Sequence, residues 1–204
     1  MKILREKNNN IQKIGFYSGS FDPIHLGHIT FALQALKKAK LDVVYFLPER
    51  FGRNKINQEH FGHRVEMIKQ AIKPHPRLQL LELSDKQFDV KRTFIKLQKI
   101  FSGSKLHFLF GSDILPQMND WPHFQKLNQE SKIIIATRKN DSIKNLKRVI
   151  ELNNFKNISF IQSLTPNVSS SIIREALYNN QTAEGALSSV LRYINKHWLY
   201  VSLR

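Results

Sequence analysis

Six short apolar runs, separated by stretches of mostly helical period, constrain this chain more than any other feature. They occupy residues 14–17, 43–47, 78–83, 106–110, 133–137 and 158–161. Between and after them, apolar residues recur three and four apart, as in Ile29, Ala32, Leu33 and Leu36, in Val65, Ile68 and Ile72, and in Phe94, Leu97 and Phe101. This spacing predicts helices over 26–38, 63–72, 93–101, 142–152, 169–177 and 187–197. Strands that alternate with helices imply right-handed crossovers, hence a doubly wound, mostly parallel sheet with helices on both faces. In such α/β sheets ligands bind outside the carboxyl ends of the strands. The polar or glycine-containing segments 19–25, 49–55, 111–121 and 165–171 all fall at that end. At 204 residues the chain suits one domain, with residues 1–12 as a flexible extension before the first strand.

Within this frame the stretch 15–28, GFYSGSFDPIHLGH, is the most specific. An apolar strand breaks into Ser18, Gly19, Ser20, Asp22 and Pro23, then enters a helix after two histidines. Backbone N–H groups at such a strand–loop–helix junction suit an anion. Gly19 and Ser20 allow close approach to a phosphate. His25 and His28 lie one helical turn apart, and Gly27 keeps the surface between them bare. Such a pair suits charge growing on phosphate oxygens during displacement at phosphorus. The same pattern also fits histidines that merely cap a helix. Two further sets stand out: Ser169, Ser170 and Ser171 before Ile173 and Arg174, and Gly111-Ser112-Asp113 followed by Trp121. A serine-rich helix start with an arginine one turn in suits phosphate. A glycine at a strand end with a nearby carboxylate suits a ribose, and Trp121 offers a flat ring.

Residues 18–28 resemble the (G/S)-G-(T/S)-F-D-P-x-H-x-G-H signature of the nucleotidyltransferase superfamily, and more narrowly the bacterial nicotinate mononucleotide adenylyltransferases. Residues 168–174, VSSSIIR, are similar to that family's (I/V)-S-(S/A)-(T/S)-x-I-R motif, and 111–121 to its G-x-D-x-L…W pattern. The segment 48–55, PERFGRNK, stands where the family has P-x-x-x-P-P-H-(K/R), and keeps the first proline and the final basic Lys55. Arg64 and Met67 match the helix that follows. The resemblance implies a Rossmann-like fold and transfer of AMP from ATP to nicotinate mononucleotide. It implies catalytic roles for His25, His28, Ser20 and Lys55, and ATP binding by Gly19, Ser20, Phe21, His25, His28, Ser171, Ile173 and Arg174. Gly111, Asp113, Trp121, Thr93 and Arg92 would hold the pyridine nucleotide. The family's Ser-Tyr-Thr is here Lys91-Arg92-Thr93, which would make the pocket more cationic and favour an acidic pyridine.

The chain carries 32 Lys and Arg against 16 Asp and Glu, a net charge of +16, so polyanions have to be weighed as partners. The lysines are spread along the sequence rather than blocked, which fits a compositional bias as well as nucleic-acid binding. With no cysteine, disulfides and thiolate chemistry are excluded. No apolar run approaches a membrane span, and a cytoplasmic enzyme is expected. No residue cluster suggests a metal site held by the protein, so Mg²⁺ is expected to arrive with ATP. Alternative readings are the same chemistry on nicotinamide mononucleotide or phosphopantetheine, or a non-catalytic basic RNA-binding scaffold.

Overall fold

The computed structural model describes residues 12–52, 58–138, 141–165 and 167–201. Six strands, β1 (Lys13–Gly19), β2 (Val43–Pro48), β3 (Leu78–Leu80), β4 (Lys105–Gly111), β5 (Lys132–Thr137) and β6 (Ile158–Gln162), form one sheet in the order β3-β2-β1-β4-β5-β6. Every pairing is parallel. Among the described residues seven α-helices cross between or follow the strands: α1 (Leu26–Lys38), α2 (Phe61–Ile72), α3 (Ile95–Ile100), α4 (Phe124–Glu130), α5 (Ile143–Leu152), α6 (Ser170–Tyr178) and α7 (Ser188–Lys196).

Strand alternation sorts the apolar side chains into two cores. On one face Tyr17, Val44, Phe46, Leu109 and Ile134 pack beneath α1, α2 and α7, through Phe31, Ile68 and Ile194 among others. On the other, Phe16, Val43, Phe108, Ile133 and Ile135 pack against Leu97 of α3 and Phe124 and Leu127 of α4. In the central strands both faces are buried, which is why they read as continuous apolar runs, while the edge strands β3 and β6 carry polar residues between apolar ones.

Three local expectations differ: the strand expected over 78–83 is paired only over Leu78–Leu80. The helix expected over 93–101 starts as a π-type turn, Val90–Phe94, capped by the Asp89 carboxylate on the Arg92 N–H (2.8 Å), and becomes α-helical at Ile95. The segment expected as a loop at 111–121 is wound into a 3-10 helix, Ser112–Asp120, with Pro116 inside it.

The strand order reverses at β1. The chain leaves β1 for β2 and β3 on one side, then crosses back to β4 on the other. Loops leaving β1 and β4 therefore diverge, and a crevice opens between them at the carboxyl edge.

Candidate active site

That crevice is a cleft of about 450 Å³. It is lined by the β1 end and its loop (Ser18, Gly19, Ser20, Phe21), by His25 and His28, by Gly111, Asp113 and Trp121 beyond β4, and by Ser169, Ser170 and Ser171 at the start of α6. Residues from three distant parts of the sequence thus share one wall system.

The histidine pair owes its geometry to the helix start. His25 is the N-cap of α1, and its Nδ1 accepts the Gly27 N–H at 3.1 Å. His28, at the third helical position, accepts the N–H of His25 on its own Nδ1 at 3.2 Å. This reciprocal cap satisfies two donors that a helix start leaves open. It also fixes the tautomers: with both Nδ1 atoms accepting, the ring hydrogen of each neutral imidazole sits on Nε2. The rings lie 3.7 Å apart, tilted by 32°. Gly27 permits this, because a Cβ there would stand 2.9 Å from His25 Cε1 and 3.0 Å from its Nδ1. Capping and presentation to the cleft are therefore one arrangement.

Phe21 adopts a positive φ of 48° and buries its ring against His28 (5.0 Å) and Tyr17 (5.3 Å). The turn it makes is braced from behind. Arg64, 1% exposed, donates from Nη1 to the carbonyls of Ser20 (2.6 Å) and Glu49 (2.9 Å), from Nη2 to Arg50 (2.9 Å) and from Nε to Glu59 (2.9 Å). One guanidinium thus ties the loop after β1 to the loop after β2. Burial lowers its pKa, and the charge of Asp22 foremost works against that.

Asp22 is the second brace. Its Oδ1 accepts the Tyr200 hydroxyl at 2.6 Å and the Glu59 N–H at 3.3 Å, and its Oδ2 stands 3.8 Å from Arg174 Nη1. Arg174 also donates to the Asp22 carbonyl at 2.5 Å, and its Nη2 reaches Ser171 Oγ at 3.4 Å. Ser169 caps α6 through the Ile172 N–H (3.3 Å), and Ser170 donates to the Pro23 carbonyl (3.0 Å). Together these contacts press the start of α6 against the β1–α1 loop.

Of the residues expected at the site, Gly19, Ser20, Phe21, His25, His28, Ser171, Gly111, Asp113 and Trp121 come together around the cleft. Trp121 is half-buried, edge-on to Phe110 (5.4 Å) and 6.0 Å from Phe88. Asp113 folds over Gly111, where a Cβ would come within 2.4 Å of its Oδ1. Thr93 lies deeper, 2% exposed, in a small side pocket that shares Ser18 and Glu49 with the cleft. Ile173 is fully buried in the protein, and Arg174 points to Asp22 rather than lining the cleft. Arg92 and Lys91 are exposed and line neither cavity. Lys55 lies outside the described residues. Gly52, just before it, lines the cleft and donates its N–H to Gln58 Oε1 at 2.8 Å.

Sequence reasoning missed Glu49. Only 9% exposed, it lies between cleft and side pocket, and its Oε1 accepts Ser18 Oγ (3.1 Å) and the Phe88 N–H (3.2 Å). A glutamate directly after the strand-ending Pro48 was the available signal.

Residues 16–176 match the cytidylyltransferase-like family. A probable nicotinate-nucleotide adenylyltransferase of Clostridium perfringens is 30% identical over 202 residues, covering 93% of this chain and 98% of the relative. A protein of the same name from Neisseria gonorrhoeae is 31% identical, covering 93% and 99%. The solved Plasmodium falciparum nicotinic acid mononucleotide adenylyltransferase complexed with NaAD superposes with a TM-score of 0.78 over 93% of this chain and 97% of that one, at 21% identity. The fold is thus shared with that structure, and the extended sequence likeness places the chain more narrowly: it belongs to the nicotinate-nucleotide adenylyltransferases of the cytidylyltransferase-like family.

Proposed function

We propose that this protein transfers AMP from ATP to nicotinate mononucleotide, releasing pyrophosphate and forming nicotinic acid adenine dinucleotide. The observation that carries the mechanism is the paired imidazoles, whose backbone-held Nδ1 atoms leave Nε2–H as the donor of each ring. An oxygen of the acceptor's phosphate attacks the α-phosphorus of ATP in line. The bond from that phosphorus to the bridging oxygen breaks, and pyrophosphate carries the electron pair away. No protein nucleophile is required, so catalysis is positioning and charge stabilisation.

His25 and His28 donate to oxygens on the reacting phosphorus, with the Ser20 hydroxyl and the loop backbone beside them. Ser171 holds the departing pyrophosphate at the positive end of α6, and Lys55 contributes a cation to the triphosphate. Arg174 serves here by holding Ser171 and the Asp22 loop in place. The ribose of the pyridine nucleotide meets Asp113 over Gly111, and its pyridine ring lies on Trp121, with Thr93 at the end of the side pocket.

Mg²⁺ fits as a companion of the triphosphate. Among the described residues no group of three or more His, Asp or Glu is arranged to hold a metal; Mg²⁺ would be carried in on the phosphate oxygens of ATP. Its chemistry when bound is to neutralise charge on those phosphates. Among the described residues no helix is long and apolar enough to cross a membrane, in keeping with the cytoplasmic location we assign.

The test is pyrophosphate release from Mg·ATP with nicotinate mononucleotide, nicotinamide mononucleotide and phosphopantetheine supplied in parallel. Release is expected with the first well above the others. His28→Ala is expected to lower turnover by about 10²–10³-fold while keeping the fold. Release with another acceptor alone would move the substrate, and unchanged turnover in His28→Ala would refute the mechanism.

A further inference from the structure

The charge that is scattered in sequence is gathered in space. Strands β1, β4 and β5 each begin with a lysine: Lys13, Lys105 and Lys132. Lys13 is the ladder partner of Lys105, and Lys132 is the partner of His107, two residues further along β4. Ladder partners and residues two apart share one face of a sheet, so the three lysines emerge on the same face. It is the α1 face, because Leu109 and Ile134, in phase with them, pack in the core beneath α1.

Helix α1 ends at this edge and adds Lys37 and Lys38 in its last turn, with Lys40 just beyond, all exposed. Arg77 reaches in and donates to the carbonyls of Leu41 and Asp42. Among the described residues, the carboxylate of Asp42 accepts the backbone N–H of Lys13 at 2.7 Å, and that of Glu130, two residues before Lys132, accepts Gln98 Nε2 at 2.7 Å. His107, the ladder partner of Lys132, lies beneath these lysines and is 4% exposed. Burial first, then the charges of Lys132 and Lys13, hold its imidazole below the ordinary range.

Charge compensation of the helix end accounts for Lys37 and Lys38. It does not account for Lys13 opposite Lys105, since like charges facing each other on a ladder are destabilising. A compositional bias supplies lysines but gives no reason to start three strands with them on one face.

We propose that this amino edge of the sheet, at the pole opposite the catalytic cleft, docks the phosphate backbone of double-stranded nucleic acid. The strand-start lysines span about 10 Å of sheet, against a duplex that carries a negative charge every ~1.7 Å of axis. The segments bearing them expose no aromatic ring for the base stacking that single strands call for. The strand starts and the stretch from Lys37 to Asp42 expose no Leu, Ile, Phe or Trp to insert among lipids, Leu41 being fully buried, while Leu33 lies a turn earlier on α1 at 36% exposure. Lysine point charges on phosphates give affinity without sequence preference.

The experiment is fluorescence anisotropy of a short labelled DNA duplex titrated with the full chain across a KCl series. In Lys13→Gln/Lys105→Gln/Lys132→Gln the slope of log affinity against log salt is expected to shrink by roughly 2–3, with adenylyl transfer retained as proof of folding. The matching triple arginine variant should keep the wild-type slope, and saturating ATP should not displace the duplex. Four results would overturn the proposal: an unchanged slope in the glutamine variant, displacement by ATP, an equal loss in a Lys144→Gln/Lys147→Gln/Arg148→Gln control on α5, or tighter binding to anionic phospholipid vesicles than to the duplex.

Discussion

Tyr200→Phe, near the end of the chain, should destabilise a loop 178 residues away. The Tyr200 hydroxyl donates to Asp22 Oδ1 at 2.6 Å, and both residues are buried, at 5% and 1% exposure. Burial above all, then the charge of Asp22, pushes the phenol well above its ordinary range, so it remains the donor at any working pH. A hydrogen bond to a charged acceptor contributes about 1.5–3 kcal/mol. After the substitution Oδ1 keeps the Glu59 N–H at 3.3 Å, which argues for the lower half of that range, about 2 kcal/mol. For a chain of this length that is about 4–8 °C in Tm.

Asp22→Ala should cost more, about 3–5 kcal/mol, because it leaves Arg174 without its carboxylate and Tyr200 without an acceptor. The decisive measurement is the double-mutant cycle by equilibrium urea unfolding. In the Asp22→Ala background the phenol hydroxyl is already orphaned, so adding Tyr200→Phe should cost nothing or stabilise slightly, a coupling of about 2 kcal/mol. If Tyr200→Phe costs the same in both backgrounds, the hydroxyl does not act through Asp22 and the brace is misassigned.

Two other substitutions probe separate parts of the molecule. Trp121→Ala should raise the KM for the pyridine mononucleotide by about tenfold, from loss of ring stacking of about 0.5–1.5 kcal/mol together with buried ring area, while the KM for ATP changes little; steady-state kinetics with each substrate varied in turn decides this. His107→Gln should flatten the acid limb of stability. The folded imidazole is held below its ordinary value of 6.5, first by burial. As pH falls through 6.5 the unfolded chain takes up a proton that the folded chain refuses, so stability is complete above 6.5 and declines below it until the depressed folded pKa is reached. Urea midpoints between pH 7.5 and 5 should show that slope in the wild type and less of it in the variant.

The alternation of strand and helix is legible in the sequence because both periods are local and both sheet faces are covered. Where it failed, the local signal was short or broken. Helix α4, FQKLNQE, has seven residues with only Phe124 and Leu127 turned to the core, too few to establish a period. The 3-10 helix Ser112–Asp120 carries Pro116, which reads as a loop residue. In the site, His25, Gly27 and His28 were legible together because one helical turn sets their relation. Ser171 and Arg174 were legible as neighbours, and Arg174 Nη2 does reach Ser171 Oγ. Spacing gave no means of seeing that the other end of the guanidinium is taken by Asp22, 152 residues earlier.

The groups whose contacts sequence left dark share one property: each acts on a part of the chain far from itself. Arg64 holds the carbonyl of Ser20, 44 residues away, and Glu49 collects Ser18 and Phe88 from either side. Phosphate-binding loops present their own N–H groups to ligand, so their carbonyls must turn away and find donors elsewhere. In this protein Arg64 supplies the donors behind Ser20 and Glu49, and Arg174 and Ser170 supply those behind Asp22 and Pro23. The residues that motif patterns single out form the front of the loop. The back of the same loop is built from whatever the fold delivers there, and its members become identifiable only once β1, β2, α2 and α6 have been brought together.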